Sequence, residues 1–390
     1  MTHGRIARVV TVVFVLLLLP LARTVAQNNS SNVEAQPAVQ ASGLAQTAVV
    51  GLVPGQVRRA YGFDRISNQG AGQTIAIITA FDHQRIEDDL AVFSQTFNLP
   101  ACTTENGCFK KISAGANPGT KQIWALEAAL CVEWAHAIAP QAKILLVETK
   151  SDKLSLFLDA VDVAVQQGAN VVSMSWGAVE TPGTQQDSHF VATNVTFVAG
   201  SGDFGPGTLY PAASPYVTAV GGTVLNIDAQ GNYLGETAWS GSGGGLSIAE
   251  VEPAYQAQYH IPNNPTGKRG VPDVAYHADV DTGFAIYNSE PFQGLKGWIQ
   301  VGGTSAGVPQ WAGLAAIVNS MRLAAGKSPM TGMNAALYSA AKKANNYHDV
   351  TTGTNGACGA LCTATAGYDY VTGLGSPQAN NLINALVKAQ

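Results

Sequence analysis

The run Thr74-Ile75-Ala76-Ile77-Ile78-Thr79-Ala80-Phe81 decides the architecture. It is almost wholly apolar and shows no alternation of polar with apolar side chains. A strand of that kind is covered on both faces, as strands of parallel sheets are. The signal recurs along the chain. Residues 143–148 (KILLVE), 171–176 (VVSMSW) and 196–200 (TFVAG) are short apolar runs, and 217–221 is another. Between them lie helical periods at 85–97, 122–138 and 153–167, with a shorter one at 187–193. Strands alternating with helices predict an α/β fold, a mostly parallel central sheet with helices on both faces. Functional groups in such sheets gather at the carboxyl ends of the strands. Three stretches fall at or just beyond strand ends: Ser175-Trp176-Gly177, Ser201-Gly202-Asp203 and Thr304-Ser305.

The third of these lies within Gly303-Thr304-Ser305-Ala306-Gly307-Val308-Pro309, after an apolar strand at 298–301 and before a helical period at 311–323. A serine there sits at a helix N-terminus, where free N–H groups favour a developing negative charge. It reads either as a nucleophile or as a simple N-cap. A nucleophile needs a base and an oxyanion donor. Beyond His3, the histidines are His83, His136, His189, His260, His277 and His348, and none opens a helix in a pattern that would pair it with Ser305.

Glu127 is the stronger base candidate. Trp124, Glu127, Cys131, Trp134 and Ile138 recur at spacings of three and four and so share one helix face. A carboxylate on a core-facing side is costly without a partner. Burial also raises its pKa, which suits proton transfer. Glu133, on another face, reads as the solvent-facing carboxylate, and His136 lies opposite Glu127. Asp203 reads as a turn residue or as a protonated donor to an oxyanion, which predicts activity at acid pH.

Composition narrows the classes. The 390 residues carry a net charge of −5, with 12% charged residues and no basic run, so nucleic-acid binding is not expected. Arg5 and Arg8 precede an apolar run at 9–21 and the small residues Thr24-Val25-Ala26. Residues 1–26 therefore read as a secretory signal peptide, too short for a membrane span. The mature chain is expected to be exported, with no membrane contact after its removal. Residues 27–50, rich in Asn, Ser, Ala and Gln, read as a flexible leader. Residues 51–390 read as one large domain. Cys102 with Cys108, and Cys358 with Cys362, flank short loops and can close small disulfides in an oxidising compartment. Cys131 is left unpaired, and the spacings do not suit zinc. Asn28, Asn29 and Asn194 lie in glycosylation sequons.

Taken together these residues resemble the sedolisins, the serine-carboxyl peptidases, over nearly all of residues 51–390. Gly303-Thr304-Ser305 with Pro309 is similar to the family's nucleophile motif and Ser201-Gly202-Asp203 to its oxyanion motif. Ser173-Met174-Ser175-Trp176-Gly177 resembles the strand lining the substrate cleft, and Glu127 falls where the family has its general base. Arg58-Arg59-Ala60-Tyr61 and Phe81-Asp82 bracket a stretch similar to the start of the domain. The resemblance implies a subtilisin-like fold and a secreted, monomeric endopeptidase acting on peptides or proteins at acid pH. Ser305 would form the acyl-enzyme, Glu127 would be the base and Asp203 would serve the oxyanion. It also implies bound Ca²⁺, held by the carboxylates of Asp349 and Asp369 and the carbonyls of Val350, Thr365 and Gly367, all hard oxygen donors.

Two departures stand out. The family's second acid lies four residues after its Glu, and that position is Cys131. A thiol is a weak hydrogen-bonding partner that stays protonated when buried. The competing reading is therefore a peptidase homologue with impaired catalysis that binds peptides or proteins. A carboxylate from elsewhere, such as Asp82, is another way to complete the triad. The second departure is upstream: roughly 25 to 30 residues separate the expected cleavage site from the domain, far short of a folded pro-segment. A further competitor is an esterase, since Gly303-Thr304-Ser305-Ala306-Gly307 also fits G-x-S-x-G. Its histidine would have to be His348, beside Asp349.

Overall fold

The computed structural model describes residues 33–389 except 116, 117 and 182. The expected signal peptide and the first residues of the leader lie outside the described residues. Two leader strands come first, β1 (Gln36–Pro37) and β2 (Gln40–Gln46). The next strands are β3 (Thr74–Ala80), β4 (Phe109–Ala114), β5 (Lys143–Thr149), β6 (Val171–Met174), β7 (Trp176–Val179), β8 (Thr196–Gly200) and β9 (Leu209–Tyr210). Beyond them come β10 (Val217–Ile227), β11 (Tyr233–Ala238), β12 (Gly245–Val251), β13 (Lys268–Val271), β14 (Val274–His277), β15 (Phe284–Phe292) and β16 (Leu295–Gly302). The helices that matter here are α1 (Pro54–Ala60), α2 (Ile86–Thr96), α3 (Gln122–Ile138), α4 (Leu154–Gln166), α5 (Ala254–Tyr259) and α6 (Gly307–Ala324).

The central sheet runs β11-β10-β8-β6-β3-β5-β4, with β14 also paired to β10. All its pairings are parallel except β10 with β11. Alternate residues of β3 enter two different cores, as the pleat requires. Ile75 and Ile77 pack with Leu126, Leu130, Trp311 and Leu314 of α3 and α6. Ala76, Ile78 and Ala80 pack with Phe157, Leu158 and Val161 of α4. This two-sided burial is why the strands read as continuous apolar runs, and it bears out the expected α/β architecture, a mostly parallel central sheet with helices on both faces.

Several details differ from the sequence reading. The run at 171–176 breaks at Ser175 into β6 and β7, and β7 leaves the central sheet to pair with β1 and β9. The helix expected at 187–193 is a short 3₁₀ turn, Asp187–Phe190. The strand before Ser305 belongs to a separate antiparallel sheet, β15-β16-β2. Glu133 is fully buried, not solvent-facing. The reason is that α3 is enclosed on every side, by the central sheet, by α6 and by the β15–β16 hairpin, where Trp134 Nε1 donates to Ala285 O at 3.0 Å. The leader, read as flexible, contributes β1 and β2. Cys102–Cys108 and Cys358–Cys362 are disulfides, and Cys131 is a buried free thiol. Among the described residues no helix is long and apolar enough to cross a membrane.

Candidate active site

Ser305 lies in a 3₁₀ turn, Thr304–Ala306, that leads directly into α6. Its hydroxyl does not cap that helix. Ser305 Oγ donates to Glu127 Oε2 at 2.9 Å. Both residues are completely buried. The pairing follows from packing, because α3 and α6 lie side by side on one face of the sheet. Glu127 faces the start of α6 as the three-and-four spacing predicts.

Glu127 Oε1 has a second partner. The Cys131 thiol, one turn on, lies 3.1 Å from it and 3.1 Å from Ser175 Oγ. A single S–H can donate to only one of them. Ser175 Oγ donates in turn to Ser305 O at 3.3 Å. Ser175 is the member of this group to which the sequence gave no individual role. Its signal was the place of Ser175-Trp176-Gly177 at the carboxyl end of a strand. Asp82 takes no part here; its carboxylate is held by Lys111 Nζ at 2.7 Å.

Burial pushes the Glu127 carboxyl up to about 8, against the hydrogen bonds from Cys131 and Ser305. Burial also holds the Cys131 thiol well above its ordinary range, and the Glu127 charge adds to this.

Asp203 follows β8 and faces the same turn. Thr304 N and Thr304 Oγ1 both donate to Asp203 Oδ1 at 2.8 Å, and Gly202 N donates to Thr304 Oγ1 at 3.2 Å. Asp203 Oδ2 is buried, and the Gln40 side chain also donates to this carboxyl. Burial lifts this carboxyl to about 7, against the Thr304 donors. Gly303 makes the arrangement possible: its φ is +101°, and a Cβ there would collide with Asp203 Oδ2 and Ala38 O.

The histidines lie elsewhere. His348 stacks on Tyr233 with ring centroids 3.7 Å apart, and burial lowers its pKa to about 4. His136 Nε2 lies 2.8 Å from Pro100 O. It also comes within 4.8 Å of the Cys102 and Cys108 sulfurs, a closeness that spacing hid, but those sulfurs are joined to each other. Ser305 Oγ thus has a carboxylate partner, which removes the esterase arrangement built on His348.

Asp349 lies against the 365–369 loop that carries Asp369. Gly367 N donates to both oxygens of Asp349, at 3.1 and 3.0 Å, and Thr365 N donates to Asp369 Oδ2 at 3.2 Å. The donor set is two carboxylates with neighbouring carbonyls, which fits a hard cation.

This fold and site define a subtilisin-like α/β scaffold in which a serine is paired with a glutamate. The chain belongs to the subtilase family, whose model matches residues 111–360. It is 32% identical to kumamolisin from Bacillus sp. (strain MN-32) over 376 residues, 87% of this chain and 64% of that protein. It is 30% identical to sedolisin from Pseudomonas sp. (strain 101) over 349 residues, 78% of this chain and 56% of that protein. The chain therefore spans roughly three fifths of the length of these curated relatives. Among solved structures it resembles Pseudomonas sedolisin, a serine-carboxyl proteinase complexed with two molecules of pseudo-iodotyrostatin. The TM-score is 0.74 at 28% identity, covering 88% of this chain and 98% of that one.

Proposed function

We propose that the chain is an exported serine-type endopeptidase that hydrolyses peptide or protein substrates through an acyl-enzyme on Ser305. The observation that carries this reading is the 2.9 Å bond from Ser305 Oγ to Glu127 Oε2, in a site that uses no histidine. Glu127 is the base that takes the Ser305 proton and returns it to the leaving amine. Asp203, protonated, and Ser305 N–H stabilise the oxyanion.

The working pH follows from these roles. Asp203 must keep its proton, which it does below about 7. Glu127 must lose its own, which it does only toward about 8. A minority of molecules holds both required forms at once. The result is weak activity that peaks between about 7 and 8 and falls on both sides.

Calcium, when bound, would tie the Asp349-Val350 segment to the 365–369 loop as a structural ion. Asp349 and Asp369 would supply carboxylates, and Val350, Thr365 and Gly367 would supply carbonyls.

Cys131 supports a second reading, a peptidase scaffold that binds peptides but scarcely cuts them. The thiol offers Glu127 one weak donor where a carboxylate would share a proton.

One assay separates the two. Wild type, Ser305→Ala and Cys131→Asp are incubated with a mixed peptide library from strongly acid to neutral pH. Cleavage by wild type that falls by about 10³-fold or more in Ser305→Ala supports the peptidase. An inert wild type with activity gained in Cys131→Asp supports the binding scaffold.

A further inference from the structure

A second cavity lies at the other end of the central sheet. Asp203 stands beyond the carboxyl end of β8, whereas this cavity opens at the amino ends of β8 and β10, beside Val195 and Pro215. The length of β8 separates the two by on the order of 15 Å. The cavity holds about 720 Å³, and three segments wall it. The 3₁₀ turn Asp187–Phe190 and the residues after it form one wall. Residues 249–253, where β12 leads to α5, form the second. The third is the approach to α7 (Asn334–Ala341), fixed by a bond from Gly332 N to Val195 O at 2.9 Å.

The lining has two characters. Phe190 and Val195 are buried, while Val191, Tyr216 and Val251 are 62%, 49% and 70% exposed. Apolar side chains gathered in water around a cavity mark a surface that another apolar group covers. Among them lie three carboxyl groups, Asp187, Glu250 and Glu252, and no lining residue is basic. Among the described residues none of the three belongs to an ion pair. Burial, joined by the charges of Asp187 and Glu180, lifts the Glu250 carboxyl to about 7, against the charges of Arg269 and Lys268. The complement of such a lining is a cation that brings its own apolar surface.

The same surface leads toward the cleft. Val179, at the end of β7, is 68% exposed, and Ile248, on β12, is 58% exposed. Glu180 ties their strands together, because its carboxylate accepts from Ile248 N and Ala249 N, both at 3.2 Å. β7 begins beside Ser175, whose Oγ donates to Ser305 O. Exposed apolar side chains thus continue from the cavity to the strand that adjoins the nucleophile. A polypeptide running from the cleft over β7 and β12 reaches the cavity, and that decides the occupant.

We infer that this cavity is an exosite, holding a segment of the polypeptide substrate in which an apolar side chain neighbours Lys or Arg. Its role toward substrate rests on the peptidase reading above. The apolar side chain enters between Phe190, Val195 and Val251, and the cation meets Glu250 and Glu252. The exosite touches no reacting atom, so it lowers KM and leaves kcat unchanged.

The test uses the full chain at pH 8, where Glu250 is ionised. Two labelled peptides, Leu-Lys-Leu-Lys and Leu-Glu-Leu-Glu, are titrated with Ser305→Ala protein and followed by fluorescence anisotropy. The Lys peptide should bind and the Glu peptide should not. Adding Val251→Lys, or Glu250→Gln with Glu252→Gln, should weaken binding by ~10-fold or more. These side chains are exposed or half-buried, so the variants should fold, which circular dichroism checks. In parallel, wild type is assayed on a short library peptide, with and without a spacer of about eight residues ending in the Lys tail. The tail should lower KM by ~10-fold at equal kcat, and Val251→Lys should abolish that gain while cutting the short peptide as wild type does. Binding of the Lys peptide that is unchanged in the cavity variants overturns the inference. So does a tail without effect on KM, which leaves the peptidase reading standing. A dimer in solution that Val251→Lys turns into a monomer means that a second copy covers the cavity, and overturns it too. A wild type that cuts nothing removes the peptidase reading, and the Ser305→Ala titration still decides the cavity.

Discussion

Cys131 Sγ stands 3.1 Å from Glu127 Oε1, one helical turn along α3, where the resemblance to sedolisins implies a carboxylate. The thiol is neutral and buried, and the alternatives available to Glu127 are few. The groups facing it are Cys131, the Ser305 hydroxyl and, at longer range, Asp203. None can take up a proton that Glu127 must release at acid pH. A second carboxylate could, because two acids in contact share one proton and keep a single negative charge over a wide range.

Cys131→Asp should therefore raise peptide hydrolysis at acid pH by about 10-fold or more and move the optimum to lower pH. Cys131→Ser should leave the position of the optimum unchanged, because a hydroxyl also stays neutral. Rate–pH profiles of the three proteins check this. Equal profiles for wild type and Cys131→Asp would show that the residue at 131 does not govern the base.

Asp203 calls for a different substitution. An Asn amide donates hydrogen bonds at any pH, whereas the carboxyl does so only below about 7. Asp203→Asn should keep measurable activity and lose the decline that wild type shows above about 8, leaving only the rise that follows ionisation of Glu127. Asp203→Ala should lose about 10²–10³-fold in kcat at every pH. An Asn variant that retains the wild-type alkaline limb would mean that another group titrates there.

The limits of the sequence lie in what its patterns measure. Periodicity found α3 and β3 because each has a regular pattern of apolar positions, and it put Glu127 and Cys131 on one face. It misjudged Glu133, because a helix enclosed on all sides gives no solvent face to detect. Glu133 Oε2 is instead bonded by Tyr287 N at 3.0 Å from the β15–β16 hairpin, a partner 154 positions away. The leader was missed for a related reason. β1 and β2 are held by main-chain hydrogen bonds, which need no side-chain pattern. Polar residues at 36 and 40 disguised them as loop.

Stability should also depend on pH, with opposite contributions above and below about 6.5. Glu127 and Glu148 are raised to about 8 and Asp203 to about 7, all chiefly by burial. The folded state thus binds more protons than the unfolded state between about 4 and 8, and these groups lower stability as pH rises. Burial lowers the His136 and His277 pKa values, so those residues lower stability as pH falls below about 6.5. The two sets oppose each other on the acid side, and only the carboxyls act above it. Because the raised carboxyls outnumber the two histidines, Tm should fall gently from about pH 5 to 6.5 and more steeply above it, by on the order of a few kcal/mol in stability at pH 8. Glu127→Gln should flatten that fall. A Tm that rises from pH 6.5 to 8 would contradict the burial argument.

The loop that brings Asp349 to Gly367 N and Asp369 to Thr365 N makes the last prediction. Two carboxylates brought together from the 349–350 segment and the 365–369 loop repel each other unless a cation or N–H groups answer them. Calcium at 100 times its dissociation constant would add about 2.7 kcal/mol to stability. Tm should therefore rise by several degrees when calcium is added to chelator-treated protein, and magnesium, which demands a tighter octahedral shell, should substitute poorly. Asp369 also accepts from Val371 N and Thr372 N at 2.8 Å, so Asp369→Asn keeps most of the loop's bonding while removing one charge. That variant should fold, with a lower Tm that no longer responds to calcium. If wild type shows the same Tm with chelator and with calcium, the loop is held by its own N–H donors and the metal reading is wrong.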